Sequence, residues 1–434
     1  MTGMLTSCGK QFKDWSSTYR VLKKGVDIEK LFEVSQKAVL EDLKSDQMIV
    51  AHLDDTIFKK TGNKVYGTAW RRDPLGPPFH TNFIWGQRFL QISMALPDQE
   101  NNCQSKAIPI DLHHCPTLKK LPKDADTAQQ KTFKEEQRIA KLSKQGSLRI
   151  EALRNKLDLQ GAKHRELVIS VDGSYTNETV LKSLADRVTL IGRIRKDAKF
   201  YTLPDEQPAK GRKKVYGDRF LTPDQTRKSD DIPWQAVNAW SAGKTHEFNV
   251  KVIKNLRWRA AGKNHTLQLV VIRPLAYRLT KNSKLLYRQP AYLICTDNKM
   301  TVEKLLQAYL WRWEIEVNFR DEKTILGCGE AQVRNPESVK NIPAFITALY
   351  AFMLLATHRN HKKRHKAILP RPKWYPAKPE QRVTTSEIIN LFRVHIWGNL
   401  VNSDFSGFMK NEHLNRNLKN ETDPLTAAIL YYRK

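Results

Sequence analysis

The sequence of 434 residues predicts an α/β fold, with a mixed sheet flanked by helices and interrupted by a β-rich insertion. Three observations predict it. In "RELVISVDGSYTNETVLKSLADRVTLIGRIRKDAKFY" (165–201) a buried strand, a Gly-Ser turn, a helix N-capped near Asn177 and a second strand follow with short links, the parallel βαβ pattern. Between 196 and 293, "KGRKKVYGDRF", "HEFNVKVIKNLRWRA", "HTLQLVVIRPL" and "AYLICT" are short, β-branched and separated by polar or glycine-containing turns, which reads as a mostly antiparallel insertion. Helical patterns surround both. One is charged and exposed (127–160); the other is the apolar run "AFITALYAFMLLA" (344–356), too short to span a bilayer and read as a buried helix.

Taken in order, residues 19–45 read as one or two short helices, with Ile28, Leu31, Phe32 and Val34 at roughly helical spacing. "QMIVAHLDD" (47–55) reads as a strand whose end delivers two aspartates, and "HTNFIWGQRFLQISMALP" (80–97) as one or two more strands. The strand "LVISV" ends at Asp172, placing that acid where open α/β sheets bind their ligands. "YLWRWEIEVNFRDEK" (309–323) is a helix. The basic "HRNHKKRHKAILPRPKWYPAKPEQR" (358–382) reads as an extended segment laid along an anion, and "LTAAILYYRK" at the end as a small packing helix. The expected division is an N-terminal helical segment contacting DNA (1–45), a first core part (46–195), the β-rich insertion (196–293), a second core part with the Glu316 helix (294–360) and a basic C-terminal segment (361–434).

Charge narrows the partners. Lys and Arg number 74 against 45 Asp and Glu, a formal net charge of +29. Such an excess favours a polyanion, above all nucleic acid. A membrane-surface protein would need a lysine-rich amphipathic anchor, and no run of that kind occurs, so no membrane partner is expected. Five scattered cysteines, odd in number and without C-x-x-C spacing, speak against a disulfide framework or a zinc ribbon. With no apolar signal run in "MTGMLTSCGKQF", the expectation is a cytoplasmic protein. His113, His114 and Cys115 in "DLHHCP" are adjacent, a poor arrangement for converging on one tetrahedral ion.

The chemistry concentrates in the helix 309–323. At about 100° per residue, Tyr309, Arg312, Glu316 and Lys323 share a stripe about 60° wide. Leu306, Leu310, Trp313 and Val317 fall on a neighbouring stripe, the expected buried seam. An Arg312–Glu316 ion pair is the ordinary reading of that polar stripe. Two further acids favour another. Asp54-Asp55 and Asp172 end strands that look central, where carboxylates are costly unless they meet a cation or a base. Two strand-end aspartates and a helical glutamate form a hard oxygen donor set for Mg²⁺ or Mn²⁺, able to hold two ions for in-line phosphodiester displacement.

At this point the sequence resembles bacterial insertion-sequence DDE transposases. "YLWRWEIEVNFRDEK" matches their Y-x(2)-R-x(3)-E-x(6)-K signature at all four fixed positions; "LDDT" and "ISVDGSYTN" resemble the motifs of the first and second aspartates. The resemblance covers roughly residues 47–358. It implies a ribonuclease-H-like core that cuts and joins transposon ends with two Mg²⁺ per site, Mn²⁺ being able to substitute. Carried over by position, Asp55, Asp172 and Glu316 are the metal-binding triad, Asp55 being preferred to Asp54 because Thr56 follows it. Tyr309, Arg312 and Lys323 would contact end phosphates. Tyr292 stands where hairpin-forming relatives carry an aromatic that stacks on a flipped base, with Trp258 a second stacking candidate. Arg193, Arg195 and Lys196 in "RIRKDAKFY", with the cations of "KGRKKVYGDR", are candidates for backbone contacts.

The expectation is therefore a cut-and-paste DNA transposase acting on inverted-repeat ends and target DNA. Joining two ends implies a homodimer on double-stranded DNA, and the protein would be nucleoid-associated when bound. Two alternatives stand beside it: a non-catalytic DNA-binding derivative, and a metal nuclease without strand transfer.

Overall fold

The computed structural model describes residues 13–398, apart from 22, 24, 25, 74, 75, 78, 99–103, 206–209, 281, 332 and 364–382. Most of the basic stretch 358–382 and the whole of the terminal "LTAAILYYRK" lie outside the described residues.

The strands that carry the core are β1 (Ile49–Lys59), β2 (Ala69–Arg72), β3 (Phe83–Pro97), β4 (Ser105–His114), β5 (Leu167–Val171) and β6 (Val188–Arg193). β4, β3 and β1 pair antiparallel, while β1, β5 and β6 pair parallel. This is a ribonuclease-H-like arrangement, and the predicted βαβ unit is its parallel half. The linking helix, Glu178–Leu181, is a single turn whose N-cap is Asn177, with the side chain accepting from Val180 N.

Three of the four predicted stretches of the β-rich insertion form strands, whereas "KGRKKVYGDRF" contributes only an isolated bridge at Arg219, and the strands extend the same sheet. β13 (Ala291–Cys295) pairs antiparallel with β6, then β10 (Leu267–Ile272) and β9 (Lys244–Trp258) follow, with β8 (Gln235–Ser241) on β9. Leu269, Val271 and Ile294 pack with the core on one face; Val270, Leu293 and Cys295 pack on the other. A strand apolar on both faces needs cover on both, and separate apolar clusters on the two sides of this eleven-stranded sheet supply it.

The helices divide between the two faces. Ile150, Leu153 and Leu157 of helix Leu142–Leu157 cover Ala51, Leu53, Leu90 and Ile92. Leu305, Leu306, Ala308 and Trp311 of helix Val302–Trp311 cover Val50, Val168, Ile191 and Leu293. Because side chains alternate along a strand, Val50 and Ala51 define opposite faces. The apolar run 344–356 lies in helix Pro336–Lys363, which is long and apolar enough by length and composition alone to cross a membrane. Here it packs on β4 and on the N-terminal helix Ile28–Asp42, burying Ala348, Ala351, Leu354 and Leu355.

Candidate active site

β1 does not end at its aspartates, as the sequence reading expects; it runs on to Lys59. What ends there is its parallel pairing with β5, at Leu53 and Val171. Asp54 and Asp172 are thus the next residues in register, where the two strands part and leave a crevice.

Alternation then separates the two neighbouring aspartates. His52 and Asp54 face the helix Val302–Trp311. His52 Nδ1 and Ser170 Oγ are 2.6 Å apart, and Ser170 Oγ donates to Ala308 O at 3.4 Å. Asp54 Oδ2 accepts from Arg312 Nη1 at 2.9 Å, and Glu316 Oε1 accepts from Arg312 Nη2 at 2.9 Å. One guanidinium ties the strand acid to the helix acid. Asp55 faces the other way. Its Oδ1 accepts from the Tyr175 hydroxyl at 2.7 Å, and its Oδ2 lies 3.4 Å from Arg88 Nε. The sequence reading groups Asp55 with Asp172 and Glu316; in the structure the acid that shares Arg312 with Glu316 is Asp54, while Asp55 meets Tyr175 and Arg88.

Asp172 is held by the turn it opens. Its carboxylate accepts from Ser174 N at 2.9 Å and from Ser174 Oγ at 3.1 Å, and Thr176 Oγ1 donates to its carbonyl at 2.8 Å. Gly192 on β6 makes room for that turn, since a Cβ there would sit 2.1 Å from Thr176 Oγ1.

The segment 309–323 is two helices, Val302–Trp311 and Trp313–Thr324, with the break at Arg312. Across it the spacing tightens to i→i+3: Arg312 N donates to Tyr309 O and Ile315 N to Arg312 O, both at 3.1 Å. The tightening rotates the buried seam to Leu305, Leu306, Ala308, Trp311, Ile315 and Phe319. Of the expected seam only Leu306 is fully buried, and Trp313 is 62% exposed. The polar residues still meet at the break. The Arg312 guanidinium lies 5.7 Å from the Tyr309 ring centre, a cation–π contact, while reaching Asp54 and Glu316. Lys323 sits near the far end of the second helix, exposed, with Glu322, Lys59, Asp73 and Asp55 as electrostatic neighbours.

The electrostatics are those of crowded acids around one base. Burial pushes the Asp54 carboxyl up to about 7; Arg312 opposes this and the Asp172 charge adds to it. Burial works against the Arg312 charge, but Tyr309, Asp54, Glu316 and Asp172 together hold its pKa above the ordinary value. Burial, then the Arg312 charge, pushes the His52 imidazole down to about 3, so it is neutral at physiological pH. Behind the site, burial and then the Asp55 charge hold Tyr175 in its phenol form.

Next to Asp172 a cleft of about 1220 Å³ opens between the core and the insertion strands. Gly173, Arg193, Arg195, Lys196 and Tyr292 line it, so four of the predicted DNA-contacting residues are brought together there. Tyr292 is 5% exposed and its hydroxyl donates to Asp224 Oδ1 at 3.0 Å, so its ring is a wall of the cleft rather than an open platform. Trp258 lines the same cleft. Lys199 of the predicted stretch "RIRKDAKFY" lines it too, and sequence reasoning missed Arg227, Lys228 and Arg259, which add charge to it; Arg259 lies 5.0 Å from the Tyr201 ring centre. Their signal, scattered cations in a basic insertion, is too diffuse to single them out.

Among the described residues no three His, Cys, Asp or Glu side chains converge closely enough to hold a metal ion. Along β4, His113 and His114 alternate in direction, and His114 stacks on Phe89 at 4.8 Å between ring centres. Cys115, Cys295 and Cys328 are buried free thiols.

A ribonuclease-H-like sheet with two aspartates where its central strands part is the frame of a DDE-type nuclease. The chain belongs to the DDE superfamily endonuclease family, whose model it matches over residues 29–264, more than half its length. That match contains Asp54, Asp55 and Asp172 and ends before Glu316. Membership makes DNA the substrate class and divalent metal the family's general cofactor. No curated protein matches the chain.

Proposed function

We propose that this protein is a DNA transposase that cleaves transposon ends and joins them to target DNA by cut-and-paste transfer. One observation carries the reading: Asp54 and Asp172 follow directly on the last pair of the parallel strands β1 and β5, Leu53 with Val171, and Arg312 ties Glu316 to Asp54. The donor chemistry fits a hard divalent cation. All three acids offer oxygen only, and burial, with the Asp172 charge beside it, holds the Asp54 carboxyl up at about 7, so a cation there would favour its charged form. Asp54, Asp172 and Glu316 would hold Mg²⁺, with Mn²⁺ as a substitute. When bound, two such ions lower the pKa of an attacking water or 3′-hydroxyl and stabilise the leaving oxygen.

The chain's own residues do the rest. Arg312 presents a planar donor pair fixed by Tyr309, Asp54 and Glu316, suited to a phosphate at the scissile position. The neutral His52 fills the space beneath Asp54 without adding charge. The cleft holding Arg193, Arg195 and Lys196 takes the strand past Asp172. Two sites on a homodimer would bring two ends together, in a bacterial cytoplasm where the complex sits on the nucleoid.

The test is a strand-transfer assay with paired end duplexes, taken from the DNA flanking the gene, and Mg²⁺. Joined product supports the proposal. Cleavage without joining would assign a nuclease, and DNA binding without either reaction a non-catalytic derivative.

A further inference from the structure

At one edge the sheet extends beyond the strands that carry the acids. β2 pairs with the first residues of β3, Ala69 with Gly86 through Arg72 with Phe83, on the side of β3 that β4 occupies further along. This ribbon reaches past β1, whose last partner on β3 is Gly86. Cross-strand partners share a face, so Trp70 with Trp85 and Arg72 with Phe83 all lie on one side. Counting by twos along β3 from Phe83 and Trp85 reaches Phe89 and Gln91, and Gln91 is the partner of Asp54. The exposed side of the ribbon is thus the face that carries the acids. From Trp85 to Gln91 the distance along the sheet is about 20 Å, at about 3.4 Å per residue.

What that face displays is unusual for solvent. Trp70 is 66% and Phe83 56% exposed, and Arg72 is exposed beside them. The rings are positioned, not loose. Trp70 meets Trp85 edge-on at 5.5 Å between ring centres, Trp85 Nε1 donates to Gly62 O, and a Cβ on Gly86 would lie 2.6 Å from Phe58 O. The surrounding sequence is basic: residues 56–97 hold six Lys and Arg and a single acid, Asp73. Lys323 has Lys59, at the end of β1, and Asp73, directly after β2, among its electrostatic neighbours. Cations lead from the acids to a pair of open aromatic faces.

We propose that this ribbon is a stacking platform for unpaired bases of the DNA strand that runs from the acids past Lys323. Trp70 and Phe83 take one base each and Arg72 a phosphate. Rings on a rigid ribbon suit the faces of unpaired bases, which a duplex keeps covered. The inference rests on the reading of DNA as substrate.

The test is binding without catalysis, in EDTA, followed by fluorescence anisotropy of a labelled duplex, either blunt or bearing a single-stranded extension of about ten nucleotides. The extension is expected to tighten binding of the wild type at least about tenfold, because each stacked base contributes substantially. Trp70→Ala/Phe83→Ala should lose that advantage while binding the blunt duplex as before, and Trp70→Phe/Phe83→Tyr should keep most of it. An equal advantage in wild type and alanine variant overturns the proposal, as does an equal loss on blunt and extended DNA. So does a change of oligomeric state at unaltered DNA affinity, which would assign the face to a second copy of the chain. A wild type that binds no DNA at all would instead sink the functional reading beneath it.

Discussion

Replacing each of the two neighbouring aspartates by asparagine separates their roles. Asp54 is buried beside Asp172, and its carboxyl is raised from 3.8 to about 7. A folded-state pKa above the unfolded one means that wild-type stability is complete below about 4 and is lost as pH rises through about 7. Three pH units at 1.36 kcal/mol each bound that loss at about 4 kcal/mol. Without metal at pH 8, Asp54→Asn should therefore be more stable than wild type, by up to about 4 kcal/mol, and no more stable at pH 4. With Mg²⁺ the same change should lower single-turnover cleavage by about a thousandfold or more, the equivalent of several kcal/mol of lost charge stabilisation. Asp55→Asn should do the reverse. It exchanges a charge-assisted bond to Tyr175 for a neutral one, at a cost of about 1 kcal/mol of stability, and leaves cleavage within a few fold. Urea unfolding in EDTA and a cleavage time course measure the two quantities. Lost cleavage in Asp55→Asn with retained cleavage in Asp54→Asn would refute the strand-face argument.

Three further outcomes follow from particular side chains. Arg312→Lys cannot bridge Asp54 and Glu316 with a planar fork while covering Tyr309, so single-turnover cleavage should fall about tenfold to a hundredfold. Glu322 is fully buried, and burial lifts its carboxyl to about 8; wild-type stability should fall as pH rises towards 8, and Glu322→Gln should flatten that decline in a thermal-melt series without changing DNA affinity. Removing the three cleft charges by Arg193→Gln, Arg195→Gln and Lys196→Gln should weaken DNA binding on every sequence and reduce the slope of log affinity against log salt by about 3.

The linear sequence reached far into this protein. Period and turn chemistry located the parallel unit 165–201, because a buried strand, an N-capped turn of helix and a second strand are local matters. The places of Asp172 after its strand and of Glu316 on a helix were legible for the same reason: each is fixed within a few residues of its own element. Even the distinction between the faces of Asp54 and Asp55 was half written. In "IVAHLDD" the polar His52 stands two before Asp54, as Ser170 stands two before Asp172 in "VISVD", and polar residues at matching phase mark the shared face. What decided it was the register of β1 on β5, a pairing between residues more than a hundred positions apart.

The rest belonged to tertiary structure alone. An ideal helix placed Trp313 in the seam; a tightened turn at Arg312, formed where the guanidinium reaches β1, turned it to solvent and buried Trp311. The strands of the insertion could be read as strands, but joining the central sheet through β13 depended on edge hydrogen bonds to β6 that no local pattern encodes. Local chemistry follows from neighbours in sequence, and so the sequence by itself determined the candidate acids, the basic character and most of the elements. Which carboxylate faces which, and which cations gather around one cleft, depends on strands meeting across the sheet, and only the tertiary structure decided that.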